Sequence, residues 1–410
     1  MTQKTPVGII GAGPAGMMAA LQAAWLGAEV TLFDANPSVG RKLLVTGSGR
    51  CNLTNAAIAP ERYVCSNPAF LADLFNQFDR EALLQTLERI GVLAYHTADG
   101  WYYPCSESAA TVVDAFAAAL AQAGVQLRLN QRVTGLQKTD GGFRVQAGGS
   151  EWIGARLIVA AGGQAYPTLG SRGDLYPWLS RLGHTITPVH PALAPVQAEV
   201  RTLHKLQGVR LDVTAGVWQG TTQLGTTTGN LIFTQWGFNG PAVMDLSHLI
   251  STRPGTQLHL TLNLLPGEID SRLRSLLKQK RSETVPVRVL LGAVLPPKVP
   301  PVILGLAGLH PEVRMDQLND AALENVLKQL SGLSVEIQGV RGFDYAQVST
   351  GGVPVDEVHP ASLESKPAPG LYLAGETLDV IGPCGGFNLQ FAFSSGAAAG
   401  RAAGRAAGRH

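Results

Sequence analysis

Cysteine is scarce in this chain: four residues, Cys51, Cys65, Cys105 and Cys384, among 410. No two form a CxxC pair and none has metal-ligand spacing, which argues against a zinc module, a disulfide framework and a sequence-adjacent redox pair. Reduced thiols in the cytoplasm are the natural expectation. Charge is equally sparse, at 15% of residues with a formal net charge of +2. No Lys/Arg stripe interleaves with aromatics, so no nucleic-acid partner is expected. The apolar run from Val285 to Leu309 is broken by Pro296, Pro297, Lys298, Pro300 and Pro301. It reads as two short buried segments rather than a membrane span, and no membrane partner is expected. The opening MTQKTPVGIIGAG runs straight into a strand without a signal-peptide core. His190, His204 and His248 share no ligand spacing, so no metal is expected. The basic tail RAAGRAAGRH from Arg401 to His410 reads as a solubilising, fraying end.

What the chain has is glycine, 48 residues of it, inside a 45% apolar composition that excludes disorder. The strongest cluster lies in Pro6 to Ala35, PVGIIGAGPAGMMAALQAAWLGAEVTLFDA. Val7, Ile9 and Ile10 make a strand, Gly11, Gly13 and Gly16 fit G-x-G-x-x-G, and Pro14 and Ala15 open a helix. Glu29 to Phe33 is a second strand ending at Asp34 and Ala35. The order of strand, glycine turn, helix, strand and acid specifies a dinucleotide site: pyrophosphate at the helix N-terminus, ribose hydroxyls at Asp34. That acid disfavours the 2′-phosphate of NADP here.

An NAD dehydrogenase has no need to return to this half, yet the chain returns twice. Residues Arg156 to Tyr166, RLIVAAGGQAY, end a strand in Ala160, Ala161 and Gly162. A hairpin precedes them: Gln126 to Leu136, which includes Val133, alternates as one strand, and Gly141–Gly142 turns it back. Residues Gly370 to Gly400 supply a strand, then Gly375–Glu376, then a glycine-rich loop and a small-residue helix beginning near Asn388. A helix start aimed at a flavin stabilises negative charge on its reduced ring. Three contacting segments spread over the chain suit a long ligand, and FAD is the expected cofactor.

Between them lies Gly40 to Asn55, GRKLLVTGSGRCNLTN. It is not a Walker loop, because no lysine is followed by Ser/Thr at the required spacing. Leaving the second strand, it is placed to wrap the cofactor: Arg41 and Lys42 toward phosphate, Gly47 and Gly49 for close passage, Asn52 as donor and acceptor. Arg50 and Lys42 are otherwise ordinary solvated charge. Cys51 is better read as a packing thiol than as a reactive one or a partner for Cys384.

These motifs are similar to those of the BaiN-like flavoproteins, bacterial proteins described as NAD(P)/FAD-dependent oxidoreductases or aminoacetone oxidase family enzymes. The resemblance rests on Gly11–Gly16, Gly40–Asn55, Ala160–Asp174, Ser349–Val358 and Leu373–Gly396, and covers nearly the full length. It implies an α/β fold: a Rossmann-type FAD-binding domain in discontinuous segments, interrupted by a β-barrel-like domain carrying a small helical domain. It also implies that Arg41, Lys42, Gly49, Arg50, Cys51 and Asn52 lie in an FAD-wrapping loop. Glu376, Asp379, Gly386, Asn388 and Leu389 would form a C-terminal flavin motif with Gly375 and Phe387. Ala160–Ala161 stands where the family tends to read Ala–Thr, and Phe387 where tyrosine is common.

The domain boundaries expected are 1–190 and 347–410 for the FAD domain, 191–265 and 331–346 for the β-rich insertion, and 266–330 for the helical part. Within them, a short helix is expected over Leu175 to Leu182. Short antiparallel strands are expected over Ala198 to Phe233 and a clean strand over Gln257 to Leu265. Helices follow over Ile269 to Lys280 and Met315 to Leu330, then a strand over Ser334 to Val340. Thr234 to Ser247 is a break that places Trp236, Phe238 and Asn239 as candidates to line a pocket. Tyr102 and Tyr103 read as a packed aromatic cluster or as neighbours of the flavin ring. The expected activity is an FAD-dependent oxidoreductase acting on a small organic substrate. The flavin is reduced either by NAD(P)H bound transiently, since no second G-x-G-x-x-G unit exists, or by the substrate itself, as in an oxidase of an amine or hydroxy compound. A binding or RNA-modifying role on the same scaffold is the rival. No acid or base is identifiable, and oligomeric state is not legible.

Overall fold

The structure, a computed structural model, describes residues 6–407. They divide into two compact units, Met1–His190 with Gln347–His410, and Pro191–Ala346. Each has its own apolar core, and neither core draws a buried residue from the other unit.

The first unit is built on a five-stranded parallel sheet in the order Leu371–Leu373, Arg156–Val159, Pro6–Ile10, Glu29–Phe33, Gln126–Arg128. Apart from the exposed edge strand Gln126–Arg128, its strands are short and mostly apolar because both faces are covered. Val7, Ile9, Leu32, Leu157, Ile158 and Leu371 are fully buried. The first helix, Pro14–Trp25, and the C-terminal helix, Phe387–Ala407, pack on each other with almost no side chain between them. A Cβ on Gly396 would come within 2.2 Å of the Ala15 carbonyl oxygen, and one on Gly400 within 2.3 Å of that of Ala19. Gly404 faces Ala23 in the same way, one turn further on.

That helix corrects the expectation for the tail. Arg401 donates to Gln22 Oε1 at 2.8 Å and lies over the Phe78 ring, so residues through Ala407 are held. Residues 408–410 lie outside the described residues. The expected strand 126–136 also divides. Gln126–Arg128 joins the parallel sheet, whereas Val133–Thr139 starts an antiparallel sheet with Gly142–Ala147 and Ser150–Gly154. The break comes where the Asn130 and Gln131 amides donate to the Asn36 and Asp34 carbonyls, with Asn130 at φ +55°.

The second unit is a closed antiparallel barrel in the order Val196–Ala198, Gly237–Asn239, Thr222–Thr234, Arg210–Gln219, His259–Asn263, Leu333–Val340. Helices Ile269–Gln279, Val287–Leu291, Val299–Leu306 and Asp320–Ser331 form the excursion between the last two strands. The stretch expected as short strands is dominated by one long hairpin, Arg210–Gln219 with Thr222–Thr234. Gly220, at φ +57°, turns it, but two glycines within its second strand are packing gaps: a Cβ on Gly225 would meet Leu249 at 2.6 Å, and Gly229 lies under Pro241 and Ala242.

Candidate functional site

The three glycines of the first turn do different work. Gly11, at φ +102°, leaves no room for a side chain, since a Cβ would stand 2.4 Å from the Ala160 carbonyl oxygen. A Cβ on Gly16 would fall 1.7 Å from the Gly11 carbonyl oxygen. Gly13 faces nothing within 4 Å. Two glycines are therefore needed by the chain's own packing, and the third opens onto space. Pro14 has no amide hydrogen, while Ala15 and Gly16 begin the helix with N–H groups that have no helical acceptor.

Asp34 closes this corner. Its Oδ2 accepts the Ala12 amide at 2.7 Å, and its Oδ1 accepts the Asn36 amide at 2.8 Å and the Asn36 side chain at 2.9 Å. A carboxylate offers about four acceptor positions, so Asp34 first shapes the turn and keeps little capacity for a ligand hydroxyl. Ala35 follows in the same corner. Val133, buried, begins the adjoining antiparallel sheet, and the nearby Gln131 Oε1 is buried without a partner.

The wrap loop separates its charges. Arg41 is half-buried and makes no hydrogen bond or ion pair among the described residues. Lys42 is paired within the chain: its Nζ lies 2.6 Å from Glu376 Oε2. Arg50 is exposed and stacks on Tyr103, its guanidinium carbon 4.5 Å from the ring centroid. Gly47, Ser48, Gly49 and Cys51 all have positive φ, so the loop coils tightly before it straightens at Asn52. Cys51 is fully buried and burial pushes its thiol up to about 12, against a partly offsetting hydrogen bond with Thr46. The four cysteines form no disulfide. Asn52 turns its amide inward, donating to the Thr54 and Tyr102 carbonyls at 3.1 and 3.2 Å.

From there the loop is fastened to the last return. Asn55 donates to the Gly385 carbonyl at 2.8 Å, and Thr54 to Gln390 Oε1 at 2.6 Å. A Cβ on Gly386 would stand 2.4 Å from the Thr54 carbonyl oxygen. Asn388 folds its own loop, accepting the Gly382 amide and donating to the Gly382 carbonyl. Phe387 is buried under Tyr63, whose hydroxyl donates to the Phe387 carbonyl, while Leu389 is half-buried. The C-terminal helix starts here, one residue earlier than expected, with its first-turn N–H groups.

The middle return joins the first turn directly: Ala160 donates to the Ile10 carbonyl at 2.8 Å, followed by Ala161 and by Gly162 at φ +76°. Gly375, at φ +66°, brings the final strand against Ala15. Asp379 accepts the Gly351 amide at 2.7 Å, yet burial holds its carboxyl above the usual range. Sequence reasoning placed Thr54, Ser349 and Gln390 inside its motifs without giving them a role, and missed Tyr63. Ser349 precedes two positive-φ glycines, Gly351 and Gly352, and that pairing was the available signal.

Other candidates separate clearly. Tyr102 and Tyr103 sit in a small antiparallel sheet, Tyr102 against His96 and Tyr103 against Tyr95. Phe238 is barrel core, the half-buried Asn239 accepts the Gly240 amide, and Trp236 stays partly open beside Arg341. A Ser365–His184–Glu357 chain has the connectivity of a nucleophile, base and orienting acid, at 2.8 and 2.7 Å. Ser365 is 1% exposed and its oxygen also accepts the Ala368 amide, so this chain is a structural latch. No cluster able to hold a metal occurs among the described residues. No described helix is long and apolar enough to cross a membrane.

A ligand cradle made of an open glycine, free first-turn amides, an unpartnered arginine and two returning loops fits an extended dinucleotide. Together with its relatives, this architecture defines the class: a Rossmann-type flavoprotein, an oxidoreductase. A 3-dehydro-bile acid delta(4,6)-reductase of Clostridium scindens is 34% identical over 96% of this chain and 97% of its own length. A ribosomal RNA dihydrouridine synthase of Escherichia coli is 32% identical over 94% of this chain and 95% of its own. The fold is shared with a 3-ketosteroid delta1-dehydrogenase of Sterolibacterium denitrificans, with a TM-score of 0.52, 11% identity and coverage of 98% and 99%. The HI0933-like protein Rossmann domain matches residues 5–402, and the chain belongs to that family.

Proposed function

We propose that this protein binds FAD and reduces a carbon–carbon double bond conjugated to a carbonyl, with NAD(P)H as the transient reductant. The observation that carries the reading is the meeting of three distant segments beside the glycine turn: the Gly40 amide donates to the Ala12 carbonyl at 2.8 Å, Gly375 lies against Ala15, and Lys42 pairs with Glu376. The reaction class is supported by what the two relatives' names have in common. A delta(4,6)-reductase and a dihydrouridine synthase each add two electrons and two protons across a C=C bond.

In this reading the Ala15 and Gly16 amides and the Arg41 guanidinium hold the pyrophosphate. Bound there, FAD would supply two-electron chemistry between a nicotinamide and the substrate, and these residues would hold and orient it. Lys42, Glu376 and Asn52 hold the loops in place, and the first turn of the C-terminal helix supplies N–H groups for developing negative charge. Asp379 retains a proton to higher pH than an ordinary carboxyl, because burial disfavours its anion. Anaerobic stopped-flow mixing of the yellow protein with NADH or NADPH tests the proposal. Rapid bleaching by one of them, then reoxidation by a 3-keto steroid enone, is expected. Bleaching by neither, with bleaching by an amine or hydroxy compound, defeats it in favour of an oxidase.

A second reading takes the enone as uracil within ribosomal RNA, supported by the Escherichia coli relative at 32% identity. Against it stands the net charge of only +2. Reoxidation of the reduced protein by ribosomal RNA, and not by the steroid, decides for RNA.

A further inference from the structure

We propose that Ser349 is a positioning residue for the flavin cofactor: its hydroxyl sets the Glu376 carboxylate and joins the Lys42 loop to both returning segments. The inference rests on the FAD reading above. Ser349 is 3% exposed and every hydrogen-bonding capacity of its hydroxyl is used. It donates to Glu376 Oε1 at 2.8 Å, and it accepts the Gln164 amide at 2.8 Å and the Ala165 amide at 3.2 Å. The Ser349 amide also donates to Glu376 Oε1 at 2.8 Å. The other carboxylate oxygen, Oε2, receives Lys42 at 2.6 Å.

The Ser349 hydroxyl therefore links three stretches of chain, its own strand Val348–Gly352, the middle return through Gln164 and Ala165, and the last return through Glu376, and the Glu376 carboxylate extends the link to the wrap loop through Lys42. The surroundings leave it no freedom. A Cβ on Gly163 would stand 2.5 Å from Ser349 Oγ and 2.7 Å from Glu376 Oε1. Glu376 has both oxygens fixed, so the carboxylate cannot rotate to pair with Arg41. Lys42 is neutralised in the same way. Arg41 is left as the unpartnered cation of the wrap loop, and the phosphate charge meets a guanidinium that no acid has claimed.

The test is a double-mutant cycle on FAD affinity, read by flavin fluorescence as apoprotein is titrated, with the flavin midpoint potential as second readout. Ser349→Ala is expected to weaken FAD binding at least tenfold in the wild-type background and less than threefold in Glu376→Gln. A purely structural serine gives equal factors in both backgrounds. Ser349→Thr, which keeps the oxygen, is expected within threefold of wild type and with an unchanged potential. Equal factors in the two backgrounds, or Ser349→Ala indistinguishable from wild type in both readouts, overturn the proposal. If Ser349→Ala does not fold, Ser349→Thr is compared with Ser349→Cys, whose sulfur is the poorer acceptor, and equal affinities overturn it. Wild-type apoprotein that takes up no FAD overturns the flavin reading and this proposal together; uptake with no coupling overturns this proposal alone.

Discussion

At the scale of single residues, the wrap loop shows how neighbours in sequence acquire unlike environments. Arg41, Lys42 and Arg50 are all cations in one loop, yet one is unpartnered, one is paired with Glu376 and one is stacked on Tyr103. Arg41→Ala removes a charge-assisted contact of about 1.5–3 kcal/mol, so FAD affinity measured by titration is expected to fall roughly ten- to a hundredfold. Arg50→Ala is expected to change it less than threefold. Cys51 yields a second expectation. Its folded pKa is raised from 9.0 to about 12, so the neutral thiol is favoured in the native state. That contribution is complete below pH 9 and declines as pH rises from 9 toward 12, because the unfolded thiol ionises first. Iodoacetamide followed by mass spectrometry at pH 8 is expected to label the exposed Cys105 and to spare Cys51 until the protein is denatured. The thiol character of Cys51 was legible from its solitary setting. The Lys42–Glu376 pair was not, because 334 residues separate its members and no local pattern records it.

At the scale of elements, the first and last helices meet backbone against backbone. The glycines at 396, 400 and 404 make a ridge without side chains along one face, and the first helix answers with alanines at 15, 19 and 23. Gly400→Val is expected to cost about 3 kcal/mol by forcing the helices apart. The measurement is thermal unfolding, and a melting temperature within a degree of wild type would contradict the packing. The latch of Ser365, His184 and Glu357 belongs to the same scale. His184→Ala leaves Ser365 with one partner fewer in the core and is expected to cost about 1–3 kcal/mol. Fluorophosphonate labelling of the native protein is expected to be absent, since the serine is covered. Periodicity and glycine turns gave the elements around the glycine-rich turns and several of the barrel unit, whereas helices Pro68–Gln77, Arg80–Arg89 and Ala109–Gln122 were not read. The misread ones share a cause. The 126–136 strand breaks because two of its amides are captured by the Asp34 corner, and the barrel hairpin runs through its glycines because helices lie on them.

At the scale of the molecule, two separate cores lead to a statement about unfolding. Denaturant titration is expected to show two transitions, and a cofactor bound to one core raises only one midpoint. At a ligand concentration of about a hundred times Kd the shift corresponds to roughly 2.7 kcal/mol. A single transition that FAD moves as a whole would rule this out. The sequence by itself determined the α/β class, the flavoprotein family and the dinucleotide turn. Those follow from local order: strand, glycine, helix and acid within thirty-odd residues, where backbone conformation and spacing leave few alternatives. Only the tertiary structure decided which polar groups are tied to one another across the chain and which, such as Arg41, are left without a partner among the described residues. Lys42 meets Glu376, Thr54 meets Gln390 and Ser349 meets Gln164 across 334, 336 and 185 residues of chain. A side chain's partner there is set by where the strands and helices converge, and not by what stands beside it in the chain.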